Sequence, residues 1–198
     1  QEGVNEWNII HGTNTDYLNL IDYLENSDMG DPSVQNALEQ WIDIESYMSY
    51  QAFQIFIDNR DWPGNNIKFW RDHRAGGKWR WILYDTDFGF GIPWMGLGYN
   101  FNTLEFATEP NGPAWPNPPW STLLFRKLLE NNNYKNRFIN IFSDRLNTIF
   151  KPSHLINRLN SFSSNIENII PIHRNRWPNS AQEWDYHIQI VENFAQNR

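Results

Sequence analysis

Two blocks of helical hydrophobic periodicity bracket one short aromatic segment, and that order leaves few folds open. In the first block Tyr17, Leu20, Ile21 and Leu24 recur at helical spacing behind Thr15, the expected cap. Asp31-Pro32 restarts the chain with Val34 and Leu38 on one face, because proline suits a first helical position. A longer helix from about Asp43 through Phe56 is apolar on more than one side, so it is expected to be central and buried. The period then changes. Ile67–Arg71 and Lys78–Tyr84, separated by Gly76-Gly77, predict a β-hairpin. After a Gly-, Pro- and aromatic-rich stretch from about Gly91 to Pro119, helical spacing returns in three stripes. The first holds Leu123, Leu124, Leu128 and Leu129; the second holds Phe138, Ile141, Phe142, Leu146 and Ile149. The third, Leu155 to Ile170 beyond the break at Pro152, is expected to be core, and Ser180–Glu183 fits a capping box for a last helix. The fold class is therefore α+β, mostly α, with one embedded hairpin and a single domain over residues 1–198.

Composition removes several functions. The 198 residues carry 16 basic and 23 acidic side chains, a net charge of −7, which argues against a nucleic-acid partner. No run of apolar residues is long enough for a membrane span. Cysteine is absent, so disulfides, thiolate metal sites and a cysteine nucleophile are excluded. The five histidines show no metal spacing and no partnered nucleophile, and Arg174, Arg176 and Trp177 read as a surface cluster.

Chemistry concentrates at the hairpin ends. Asn59-Arg60-Asp61-Trp62-Pro63-Gly64-Asn65-Asn66 precedes the hairpin, and Asp85-Thr86-Asp87-Phe88-Gly89 follows it. Closing the hairpin brings Asp61, Asn66, Asp85 and Asp87 toward one place, a set of hard oxygens suited to Mg²⁺ or Mn²⁺. Arg60 reads as the structural partner of a carboxylate and Asn65 as a turn residue. The order also resembles protein kinases, in which Arg-Asp is followed five residues after the Asp by Asn, then by a strand pair and Asp-Phe-Gly.

The fuller resemblance is to the CotH (spore coat protein H) kinase family, whose fold is an atypical protein-kinase-like one. It rests on Asn59-Arg60-Asp61, Asn65-Asn66, Gly77-Lys78-Trp79 and Trp81-Ile82-Leu83-Tyr84-Asp85-Thr86-Asp87-Phe88-Gly89, with Tyr84 where the family usually has Trp. Leu128-Leu129-Glu130-Asn131, Tyr134, Arg145 and Arg176-Trp177 extend it through the helical tail. The resemblance implies a kinase-like C-lobe in which Asp61 is the catalytic carboxylate. Asn66 is then a metal ligand, together with Asp85 (preferred) or Asp87. Taken as two positions on an extended strand facing opposite ways, these two acids leave room for one direct ligand. The long loop, with Trp94, Tyr99 and Trp115, stands where kinases bind substrate; covering the edge of the core is its other reading.

The implied activity is transfer of the ATP γ-phosphoryl group to Ser/Thr hydroxyls of a protein, such as a spore-coat or secreted one, with Mg²⁺ or Mn²⁺. The implied setting is extracellular, at a cell surface or in a spore coat. Residues 1–42 contain no Lys and no Gly-rich loop after a strand, so a nucleotide-covering N-lobe is expected upstream of Gln1, and the chain alone is not expected to bind ATP tightly. Two other functions compete. One is a non-catalytic surface scaffold. The other is a carbohydrate-binding or processing protein, suggested by the 11 Trp, although carboxylates crowded at one hairpin end suit a cation better than a sugar-sized gap.

Overall fold

A computed structural model describes residues 9–91, 98–178 and 183–198. Its elements run α1 (Thr15–Asn26), α2 (Pro32–Trp41), α3 (Ile44–Phe56), β1 (Lys68–Trp70), β2 (Arg80–Ile82), α4 (Thr103–Ala107), α5 (Pro119–Glu130), α6 (Asn132–Leu146), α7 (Pro152–Ile166), a 3-10 turn, α8 (Ile170–Arg176) and α9 (Trp184–Asn197). The protein is mostly helical with one two-stranded antiparallel sheet. Among the described residues no helix is long and apolar enough to cross a membrane.

Local chemistry sets the helix starts. Asp31 accepts from Ser33 N and Pro32 takes the first turn of α2. Asp43 caps α3 through Ser46 N. Thr15 is the first residue of α1 rather than its cap; Asn14 holds the cap position without a side-chain bond. Most of the Ser180–Glu183 capping-box segment lies outside the described residues.

The central helix is buried as expected. Tyr47, Met48, Gln51, Ala52 and Ile55 leave α3 no solvent face, and α1, α2, α5 and α6 close around it with the aromatic side of the hairpin. The strands are shorter than the sequence suggests. Lys68, Phe69 and Trp70 pair with Ile82, Trp81 and Arg80. Trp79 leaves this ladder for a parallel bridge to Ile42, its amide donating to Trp41 O at 2.8 Å and its carbonyl accepting from Asp43 N at 3.1 Å. The hairpin is thereby tied to the start of α3.

The third apolar stripe is not core. α7, the 3-10 turn and α8 have no buried residue, and Phe162 and Ile169 are 57% and 55% exposed. Leu155 packs at the edge of a small second cluster of Phe56, Ile57, Phe150 and Phe194. Periodicity reports that a helix is amphipathic; it cannot report how much of the apolar face finds a partner. The second stripe divides similarly, with Phe138 buried and Leu146 and Ile149 exposed.

Arg198 ties the last helix to the back of the hairpin-proximal loop. Its guanidinium donates to Ile55 O (2.7 Å), Phe56 O (2.9 Å), Tyr99 O (3.0 Å), Phe101 O (2.6 Å) and Thr103 Oγ1 (2.8 Å). Two of these carbonyls belong to the last turn of α3, where the regular i to i+4 donors run out and Ile55 O otherwise receives only tighter turn bonds such as that from Asp58 N at 3.3 Å. Arg198→Ala is expected to cost about 2 kcal/mol and lower the melting temperature by about 5 °C, as read by calorimetry.

Candidate active site

The segment leaving α3 is shaped around one carboxylate. Asp58 takes a left-handed φ of 52° and turns the chain out of the helix. Buried Asn59 donates to Gln54 Oε1 at 2.9 Å and accepts from Asp61 N at 3.0 Å. Asp61 is itself buried, and three donors surround it. Asn65 Nδ2 and Trp115 Nε1 both donate to Oδ1 at 2.7 Å, and Asn66 Nδ2 donates to Oδ2 at 2.7 Å. The five-residue offset read from the sequence thus has a physical basis: a turn returns the Asn66 amide to the carboxylate that precedes it. Asn66 reaches it with φ at 46°, a region that Asn tolerates better than most residues. With Nδ2 committed to Asp61, its Oδ1 faces the Tyr84 hydroxyl at 3.4 Å.

Behind this loop the chain beyond the hairpin runs alongside. Arg60 N donates to Phe88 O at 3.0 Å and Phe90 N to Ile57 O at 2.7 Å. Gly89 suits the approach, because a Cβ there would stand 3.1 Å from Ile57 O. Arg60 points away from the carboxylate centre. Its guanidinium lies between the Phe101 and Phe106 rings, 3.8 and 4.1 Å from their centroids, and 3.5 Å from Asp58. Burial pushes the Asp58 carboxyl up; a 2.7 Å hydrogen bond from Thr103 and the charges of Arg60 and Arg198 oppose that. Arg60 therefore serves as the carboxylate's structural partner.

Asp85 and Asp87 do not face opposite ways. Positions two apart share a face even on a regular strand, and β2 ends at Ile82, with Asp85 at a φ of 50°. The two exposed carboxyls share a hydrogen bond. That bond, with some burial and the charges of Asp87 and Asp61, raises the Asp85 pKa, while Lys68 acts the other way. Tyr84 feels both acid groups: burial and the charges of Asp85 and Asp61 raise the pKa of its hydroxyl. Lys68 Nζ lies 3.9 Å from the centroid of the Tyr84 ring.

Asp87→Asn is expected to move the Asp85 pKa down toward the ordinary carboxylate range, measured by ¹³C NMR titration. The sign follows from the pairing, since the substitution removes the hydrogen-bonded like charge that favours the protonated form. An unmoved Asp85 titration would show that the two carboxyls are not coupled.

Among the described residues no three His, Cys, Asp or Glu side chains gather closely enough to hold a metal, so Asp61, Asp85 and Asp87 do not form a three-carboxylate cluster. The amide-saturated Asp61 stands apart from the Asp85–Asp87 pair. The oxygens free for a cation are those of this pair and of Asn66, an all-oxygen set that fits Mg²⁺ or Mn²⁺ in donor chemistry.

Of the three loop aromatics, Trp94 lies outside the described residues, and Tyr99 is held through its carbonyl by Arg198 rather than brought to Asp61. Trp115 reaches Asp61 directly. Sequence reasoning missed Asn65, which had read as a turn residue and is a donor to Asp61; the Asn65-Asn66 doublet was the available signal. It also missed Thr103 and Arg198, which no local pattern marks.

A family model described as CotH kinase protein matches residues 5–198, nearly the whole chain. No curated protein and no solved structure matches.

Proposed function

The chain belongs to the CotH kinase protein family, and from that membership we infer that it is the C-lobe of an ATP-dependent protein kinase acting on Ser or Thr hydroxyls. The observation that carries this reading is the Asp61 carboxylate fixed by Asn65 and Asn66, with Tyr84 and the Asp85–Asp87 pair at the same open end of the hairpin. A kinase needs one carboxylate oriented toward the acceptor and a separate group of oxygens for the cation.

In this scheme Asp61 positions the acceptor hydroxyl. The acceptor oxygen forms a bond to the γ-phosphorus of ATP. The bond from that phosphorus to the β,γ-bridging oxygen breaks, with its electron pair leaving on ADP. The acceptor proton passes through Asp61 to solvent. Asn66 Oδ1 with Asp85, or Asp87, would hold the divalent cation, which when bound supplies charge neutralisation for the phosphates. Asn65 and Asn66 keep Asp61 oriented, and the Tyr84 hydroxyl donates to Asn66 Oδ1. A spore-coat or other exported setting follows from the family resemblance alone.

The test is transfer of radiolabelled phosphate from ATP to protein by the full-length protein with Mn²⁺ or Mg²⁺. Label transfer that survives both Asp61→Asn and the double Asp85→Ala/Asp87→Ala change would sink the reading.

A further inference from the structure

Of the three donors on Asp61, two belong to its own loop and one does not. Asn65 and Asn66 lie four and five residues along the chain, so their bonds form with the turn itself. Trp115 comes from the connection between α4 and α5, and its indole N–H shares Oδ1 with Asn65 at 2.7 Å. Its backbone is anchored immediately downstream. Gly64 N donates to Pro116 O at 2.6 Å, buried Asn117 Nδ2 donates to Phe106 O at 3.0 Å, and α5 begins at Pro119. The side chain is nonetheless 49% exposed. A fixed backbone with a half-exposed ring allows the indole to leave Asp61 by side-chain rotation, with the loop undisturbed.

Resting on the kinase reading of this site, we propose that Trp115 holds the acceptor's place on Asp61 and selects a protein hydroxyl over water. A hydroxyl accepted by Asp61 must donate its hydrogen to one of the carboxylate oxygens: Oδ1 carries two donors, and the second place on Oδ2 beside Asn66 belongs to a residue only 8% exposed, so an incoming chain has to move a donor to reach it. The indole N–H is the donor a hydroxyl can replace without unmaking the turn. A bound protein segment makes enough contact to turn the ring aside; a single water does not. With the ring in place, Asp61 is covered and transfer to water is suppressed. When the acceptor enters, its O–H takes the position of the indole N–H, and the bonds made and broken are those of the transfer described above. The ring is then free to lie against the acceptor chain, the use to which exposed Trp side chains at binding surfaces are suited.

The experiment incubates the full-length protein with γ-³²P-ATP and Mn²⁺ and reads two products: label bound to protein and label released as inorganic phosphate. In Trp115→Ala the ratio of protein-bound to released label is expected to fall by about tenfold, a modest part of the 10²–10⁴ that a positioned base contributes. In Trp115→Phe, which loses the N–H donor and the five-membered ring but keeps an aromatic ring at the position, a fall of about threefold is expected. A ratio unchanged in both variants, with wild-type transfer still dependent on Asp61, overturns this role and leaves the kinase reading standing. A wild type whose two products are both indifferent to Asp61→Asn overturns the kinase reading and this role together.

Discussion

Asp61→Asn should lower label transfer by about 10³-fold while the protein remains folded. The loss corresponds to about 4 kcal/mol of transition-state stabilisation, within the range expected when a positioned base is removed. The structural cost is smaller. The substituted amide keeps an oxygen for Asn65 and Trp115 but turns a donor toward the Asn66 Nδ2 that now bonds Oδ2 at 2.7 Å. One mismatched, partly buried pair costs about 1–3 kcal/mol. Calorimetry and the label assay, run on the same sample, therefore separate the two effects. A large fall in transfer with a melting point only a few degrees lower supports a chemical role. Equal activity in mutant and wild type removes Asp61 from the chemistry, whatever the melting point does.

Gly64→Ala is expected to be strongly destabilising. A Cβ at Gly64 would stand 2.3 Å from Pro118 Cδ and 2.7 Å from the Pro116 carbonyl oxygen. Neither neighbour can yield by changing rotamer, since one is a ring closed on its own backbone and the other is backbone. The cost is about 3 kcal/mol, a fall of about 6–12 °C in melting temperature for a chain of this size. The substitution also forces apart the Gly64 N–Pro116 O bond, and Trp115 immediately precedes Pro116. Loss of stability should therefore come with loss of the indole from Asp61, seen as a shift of one indole N–H signal in the ¹H–¹⁵N spectrum. A variant that melts within about 1 °C of wild type would show that the two segments are not in contact.

Local chemistry made much of this legible in the sequence. Helices α1, α2 and α5 announced themselves because Leu20, Leu24, Val34, Leu38, Leu124 and Leu128 are all buried, so period and burial agree. The hairpin was marked by Gly76-Gly77 between aromatic runs, although its length was overestimated because Trp79 bonds back to Trp41 and Asp43 instead of continuing the ladder. Asp61 and Asn66 were found through an offset that a single turn explains. What the sequence hid lies across long separations. Nothing local distinguishes Trp115 from Tyr99, yet one bonds Asp61 and the other is held by its carbonyl. The exposed stripe of α7 and α8 shows the same limit from the other side, since its period is as regular as that of the buried stripes.

The paired backbone bonds behind the site have a mechanical consequence. Arg60 N–Phe88 O and Phe90 N–Ile57 O are crossed between the same two strips of chain, and the Arg60 side chain is clamped between Phe101 and Phe106. Displacing either strip strains both bonds at once, so this wall is stiff and gives way as a unit or not at all. Compliance is left to the opposite wall, where a single indole bridges a loop pinned by the Gly64 N–Pro116 O bond to the carboxylate. Whatever breathing a guest requires is confined to that wall, and a rigid back with one yielding side fixes the direction of entry.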